Sequence, residues 1–327
     1  MRPRSPLAIA IGLALILVPL IVAPASARSE HDRIVAYWTP ERMASAKPRD
    51  FVRDGARFVP RARPGTGGGV TGNSWTGGGD VPDQTGKVYF SLSGGNWQCS
   101  GSVVNDGRSN VSLVLTAGHC AVDETTGAFA TNWMFMPNWD ADPATFATAC
   151  DDNATLYGCW TAQAIVVHAG FRFAGGFNDQ AVQYDWAFAV VPAGGESNTQ
   201  LDATVGSYPI QFSNVAAGNR LASFGYPAAG KYKGNDLTWC AGNIFTDEFS
   251  DVDTWGMVCG MTGGSSGGGW LKGLNETTGI GGTLSSLNSY GYSGVKNMYG
   301  PQFNANTQAT YNAANAATGN TTVGTAP

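Results

Sequence analysis

From Gly86 onward the chain alternates short apolar runs with clusters of Gly, Asn and Asp. The runs are rich in Val, Ile, Phe, Trp and Thr and are bounded by turn formers, a pattern that predicts strands. Strands are expected at Lys87–Leu92, Cys99–Val104, Val111–Thr116, Trp133–Met136, Gln163–His168 and Trp186–Val191. A second group is expected at Arg220–Gly225, Leu237–Trp239, Trp255–Val258, Gly269–Lys272 and Gly279–Leu287. No helical periodicity long enough for a crossover separates them, so the pattern predicts an all-β domain of barrels or a sandwich. The Asn/Ala/Thr-rich tail, 304–327, predicts one short helix near Gln308–Ala317 and then fraying.

The N-terminal end reads differently. Arg2 and Arg4 precede an apolar run, Leu7 to Ala23, and then Ala25-Ser26-Ala27, the pattern of a Sec-type secretory signal peptide over 1–27. Residues 28–69 read as a pro-segment, and 70–85 as a Gly-rich linker or the mature N-terminus. From Arg28 to Thr66 there are nine Lys/Arg against five Asp/Glu; from Val70 to Pro327 there are eight against nineteen. That asymmetry suggests that the leader docks electrostatically on the remainder. It also argues against nucleic acid as a partner, which requires a basic face. Once the signal is removed no membrane association is expected. Six cysteines in a secreted chain suggest three disulfides, although six cysteines allow fifteen arrangements.

Candidate chemistry centres on Cys259-Gly260-Met261-Thr262-Gly263-Gly264-Ser265-Ser266-Gly267-Gly268. Such glycine density suits a turn that brings backbone N–H groups close to a ligand, and a serine on that turn suits attack on a carbonyl. A base must then come from one of three histidines. His31 lies in the leader, and His168 ends a strand, where packing is its ordinary role. His119 follows an apolar strand in Leu115-Thr116-Ala117-Gly118-His119-Cys120. Gly264-Ser265-Ser266-Gly267-Gly268 also fits the nucleophile elbow of α/β-hydrolases, but that fold needs a histidine after the serine and none follows Ser266. Ser293-Gly294-Val295-Lys296 fits S-x-x-K without the accompanying motifs. No zinc spacing, P-loop or dinucleotide fingerprint is present, so neither metal nor cofactor is expected.

The Leu115–Cys120 segment resembles the histidine motif of the trypsin/chymotrypsin-like serine endopeptidases, and Cys99-Ser100-Gly101-Ser102-Val103-Val104 is similar to the strand that precedes it there. Asp185-Trp186-Ala187-Phe188-Ala189 resembles the family's aspartate strand, and Gly264–Gly268 its nucleophile motif. The resemblance spans roughly Gly86 to Tyr299 and is nearest in character to secreted microbial members. It implies two packed six-stranded antiparallel β-barrels over 86–303, with the active site in the cleft between them. It further implies a His119, Asp185 and Ser266 triad, an oxyanion hole from the N–H groups of Gly264 and Ser266, and a Cys99–Cys120 disulfide. The other bridges expected are Cys150–Cys159 and Cys240–Cys259. Gly260 stands where trypsin-like members carry a specificity acid, so an uncharged primary pocket is expected; Ser285 and Ser286, within Ser285–Asn288, are expected to border the substrate. Ser265 replaces the aspartate with which the freed N-terminus pairs in chymotrypsin-like zymogens, so activation by N-terminal insertion is not expected. The reading is a secreted, monomeric peptidase acting on polypeptides, its pro-segment assisting folding or blocking the cleft. The alternative is a catalytically silent relative that binds peptides.

Overall fold

The computed structural model describes residues 1, 29–53, 69–139, 156–213 and 215–326. The expected signal peptide and Cys150, with its expected bridge to Cys159, lie outside the described residues.

The leader begins with helices α1 (Glu30–Tyr37) and α2 (Pro40–Ser45). Ser29 and Asp32 form a reciprocal capping box on α1, and Thr39 caps α2 with Pro40 in its first turn. The helices bury Ile34, Trp38 and Met43. Trp38 lies 5.4 Å from the ring of Tyr89 and donates its indole N–H to Asn132 O at 2.6 Å. The leader continues through strands β1 (Lys47–Pro48) and β2 (Val52–Arg53), and the next described strand is β3 (Val70–Ser74).

The first barrel is built from β4 (Thr85–Leu92), β5 (Gly95–Val104), β6 (Ser112–Thr116), β7 (Thr131–Pro137), β8 (Trp160–Thr161), β9 (Ala164–His168) and β10 (Ala187–Val191). Its antiparallel order is β9-β10-β6-β5-β4-β7-β8. Every residue of β6, β9 and β10 is buried, which is why these strands read as unbroken apolar runs rather than alternating ones. The second barrel uses β11 (Arg220–Gly225), β12 (Thr238–Asn243), β13 (Phe245–Thr246), β14 (Thr254–Val258), β15 (Gly269–Asn275), β16 (Ile280–Leu287), β17 (Gly291–Tyr292) and β18 (Asn297–Pro301). One sheet runs β16-β15-β11-β12-β3 and another β13-β14-β18. Residues 70–74, within the expected linker, therefore extend this barrel as an edge strand. The architecture is the two-barrel chymotrypsin-like fold.

The tail departs from expectation: it does not fray after one helix. Helix Ala305–Ala314 carries a capping box from Asn304 and Thr307, and buries Thr307, Thr310 and Ala314. Strand β19 (Thr321–Val323) then adds parallel to β9, where Asn320 Oδ1 accepts from Ile165 N at 2.8 Å. Small residues on the helix permit this close packing, a signal that a low-hydropathy tail hides.

Candidate active site

The antiparallel register sets the first half of the site. Ala187 of β10 lies opposite Thr116 of β6, so the residues just before Ala187 face the turn just after Thr116. That turn, Gly118–Cys120, carries His119. A disulfide from Cys99 in β5 to Cys120 fixes its far side, with Cα atoms 6.3 Å apart. Asp185 receives two bonds from one residue: His119 N donates to Oδ1 and His119 Nδ1 to Oδ2, both at 2.8 Å. Ser289 Oγ donates to Oδ2 as well. A carboxylate can only accept, so the ring nitrogen facing it carries the hydrogen, and in the neutral ring Nε2 is the one with the lone pair. Nε2 is buried and has no hydrogen-bond partner among the described residues. His119 and Asp185 are each 0% exposed.

The second barrel supplies the nucleophile turn. Gly264 has φ +97° and Gly267 φ +84°, both in the region that favours glycine. A Cβ on Gly267 would also lie 2.2 Å from Thr116 Oγ1, so the turn packs directly against the strand that leads to His119. Ser266 O accepts from Ser100 N at 2.7 Å, tying the two barrels together at this point. Two peptide planes are pinned from behind. Gly263 O accepts from Ala228 N at 2.7 Å, and Ser265 O accepts from Gly268 N and Asn288 Nδ2, each at 3.0 Å. In a trans peptide the next N–H points the opposite way, so these bonds aim the N–H groups of Gly264 and Ser266 away from the barrel. Ser265 Oγ donates to Thr262 O at 2.8 Å, satisfied within its own turn.

Asn288, expected only as the end of the substrate-bordering stretch, and Ser289, unrecognised in the sequence, complete the support. Asn288 is fully buried; its Nδ2 donates to Phe224 O at 2.9 Å and to Ser265 O, while its Oδ1 accepts from Ser223 Oγ at 2.6 Å and Trp270 Nε1 at 2.7 Å. Its partners are scattered through the sequence, so no local motif marks it.

The leader crosses this site. Arg49 N donates to Gln98 O at 3.2 Å, and Ser266 Oγ donates to Arg49 O at 3.2 Å. The Asp50 carboxylate accepts from the N–H groups of Gly263 and Phe51 beside His119, and burial pushes its pKa up. Phe51 sets its ring 5.3 Å from His119, edge to face, and stacks on Phe177 at 4.0 Å. β1 pairs in parallel with β5 and β2 in parallel with β17.

The remaining expected positions are placed as follows. Gly260 N donates to Thr71 O at 3.2 Å. Ser285 and Ser286 are buried in β16, where Ser285 Oγ donates to Thr283 O and Ser286 Oγ to Pro301 O. The segment paired with the leader is the later Gly291–Tyr292. Cys240 and Cys259 are bridged, Cα atoms 5.5 Å apart. Cys99, His119 and Cys120 bring donor atoms within 4.8 Å of one another, but both sulfurs are in the disulfide and do not form a metal set.

A protease named Anisep from Arthrobacter nicotinovorans shares 36% identity with this chain, which covers 76% of its own length and 100% of that structure, at a TM-score of 0.61. This chain belongs to the chymotrypsin-like serine proteases. A thermostable serine protease, AL20, from an extremophilic microorganism is 35% identical over 72% of this chain and 98% of its own, TM-score 0.59. A Glu endopeptidase shares the protease fold at 18% identity, covering 76% of this chain and 98% of its own, TM-score 0.55. No family model and no curated protein matches.

Proposed function

We propose that the chain is a secreted serine endopeptidase made as a zymogen. The observation that carries this reading is the fully buried His119–Asp185 pair, with the unpartnered Nε2 of His119 beside a glycine-held serine turn. In the processed enzyme Ser266 Oγ attacks the scissile carbonyl while His119 takes its proton and later returns it to the leaving amine. Asp185 holds the ring's tautomer and stabilises the imidazolium. The Gly264 and Ser266 N–H groups receive the developing oxyanion, about 10²–10³ in rate per donor. Here Ser266 donates to Arg49 O instead, so the pro-segment blocks the nucleophile until it is removed. Residues 1–27 direct secretion; the disulfides suit an oxidising compartment. Activation proceeds by clearing the cleft rather than by N-terminal insertion, since Ser265 is uncharged and bonded in its own turn.

The test is a fluorophosphonate probe on the full-length and the processed protein. Labelling of Ser266 should appear on processing and vanish in Ser266→Ala and His119→Ala; a processed, folded protein that stays unlabelled and cuts no peptide would reject the reading.

A further inference from the structure

Arg49 does more than pass the nucleophile. Its guanidinium pairs with the Glu124 carboxylate, and the two side chains are only 8% and 12% exposed. The same guanidinium lies 5.4 Å from the ring of Trp97, a cation–π geometry. Trp97 lies opposite Lys47 of the leader strand, but both walls also have anchors outside the leader. Trp97 Nε1 donates to Leu92 O at 3.0 Å. The Glu124 loop is closed by Asp123, whose Oδ1 accepts from Thr125 N at 3.0 Å, Thr126 N at 2.7 Å and Thr126 Oγ1 at 2.9 Å, while Oδ2 accepts from Ser93. These bonds hold the Asp123 carboxyl down to about 2, so the loop stays negatively charged. Among the described residues Arg49 is the one cation paired with Glu124. The slot sits on the first barrel, four residues beyond Cys120. The primary pocket expected at Gly260 belongs to the second barrel, across Ser266, so the slot faces the leaving-group side.

We propose that Glu124 and Trp97 form a binding slot for a basic side chain, occupied by Arg49 before processing and afterwards by an Arg or Lys that follows the scissile bond of a peptide substrate. This rests on the endopeptidase reading above. A charge-assisted contact of this kind should raise kcat/KM about tenfold or more.

The experiment uses internally quenched peptides with a common acyl side, carrying Arg, Ala or Glu at each of the first three positions after the cut. The processed wild type should prefer Arg over Ala about tenfold at one position. Glu124→Gln should bring that ratio close to one, and Glu124→Arg should favour Glu. Ratios are independent of how much variant folds. Equal rates for Arg and Ala at all three positions, or an undiminished ratio in Glu124→Gln, overturn the slot while leaving the peptidase intact. No cleavage of any peptide, with Ser266 unlabelled by fluorophosphonate, overturns the peptidase reading and the slot with it.

Discussion

Asn288→Ala tests how the nucleophile turn is held. The carboxamide's orientation is fixed, because the indole N–H of Trp270 can only donate and must face Oδ1. Removing it leaves the Trp270 N–H, Phe224 O and Ser223 Oγ without these partners in a fully buried space. Ser265 O keeps only its bond from Gly268 N. Each buried group left unpaired costs about 1–3 kcal/mol, but the Ser223 hydroxyl can rotate and Ser265 O keeps one donor. The sum is about 3–5 kcal/mol, a fall in Tm of about 10 °C for a domain of this size. The catalytic effect is separate. A loosened Ser265 carbonyl lets the Ser266 N–H tilt, and that N–H is one of the two proposed oxyanion donors. Steady-state kinetics of the processed variant should show kcat down about tenfold to a hundredfold with KM little changed. Asn288→Asp keeps the acceptor but loses both donors and turns a charge toward two carbonyls, so it should be worse than Ala at neutral pH and recover in acid. A Tm within about 3 °C of the parent, with kcat intact in Asn288→Ala, would refute this account.

Asp185→Asn should lower kcat of the processed enzyme by about 10⁴, since the wrong tautomer is then favoured; steady-state turnover checks it. Replacing Cys99 and Cys120 together by Ser should cost about 3 kcal/mol, read by urea unfolding, because the bridge closes a loop with a sequence separation of 21. Leader binding in trans should weaken as pH rises. Docking buries Asp50 and raises its pKa above the usual 3.8, so the docked form favours the proton; its stabilisation is complete below that value and lost as pH climbs through the raised one. His119 is the titratable group facing Asp50, and its positive form opposes the rise. The inhibition constant of an added leader should therefore grow with pH less steeply for Asp50→Asn than for the parent, and identical slopes would contradict this.

The three positions proposed for the triad are legible because each lies in a short contiguous motif whose neighbours do local work: Cys120 anchors the histidine turn, Trp186–Val191 begins a buried strand, and glycines shape the serine turn. Asn288 and Ser289 are not, because their roles depend on partners as far away as Ser223 and Asp185, met only through folding. Two leader signals are local, the Ser29/Asp32 box and Pro40 after Thr39. On the two leader helices charge contributes little, whereas Arg49 pairs with Glu124 of the first barrel. Arg33 pairs within its own helix with Glu30 at 49% and 64% exposure, and Arg42 donates to Tyr37 O at 2.6 Å. Exposed pairs of that kind are worth about 0–1 kcal/mol, whereas burying Ile34, Trp38 and Met43 contributes about 1.5–3 kcal/mol per side chain.

The leader's persistence beside the proposed nucleophile follows from geometry at three atoms. Attack needs Oγ on the carbonyl carbon, the carbonyl oxygen against the N–H groups of Gly264 and Ser266, and Nε2 of His119 in line with the hydroxyl hydrogen. Here the hydroxyl hydrogen is spent on Arg49 O, and Nε2 has no partner behind the Phe51 ring. Sliding the strand by a residue does not correct this, because parallel pairing at both β5 and β17 fixes its direction across Ser266. Productive alignment requires the segment to leave. The anchors at Trp38 and at the Arg49–Glu124 pair therefore govern the opening of the cleft, and they are made by the first barrel, which also carries His119 and Asp185. The barrel that carries the proposed base thus also carries the contacts that hold the leader in place.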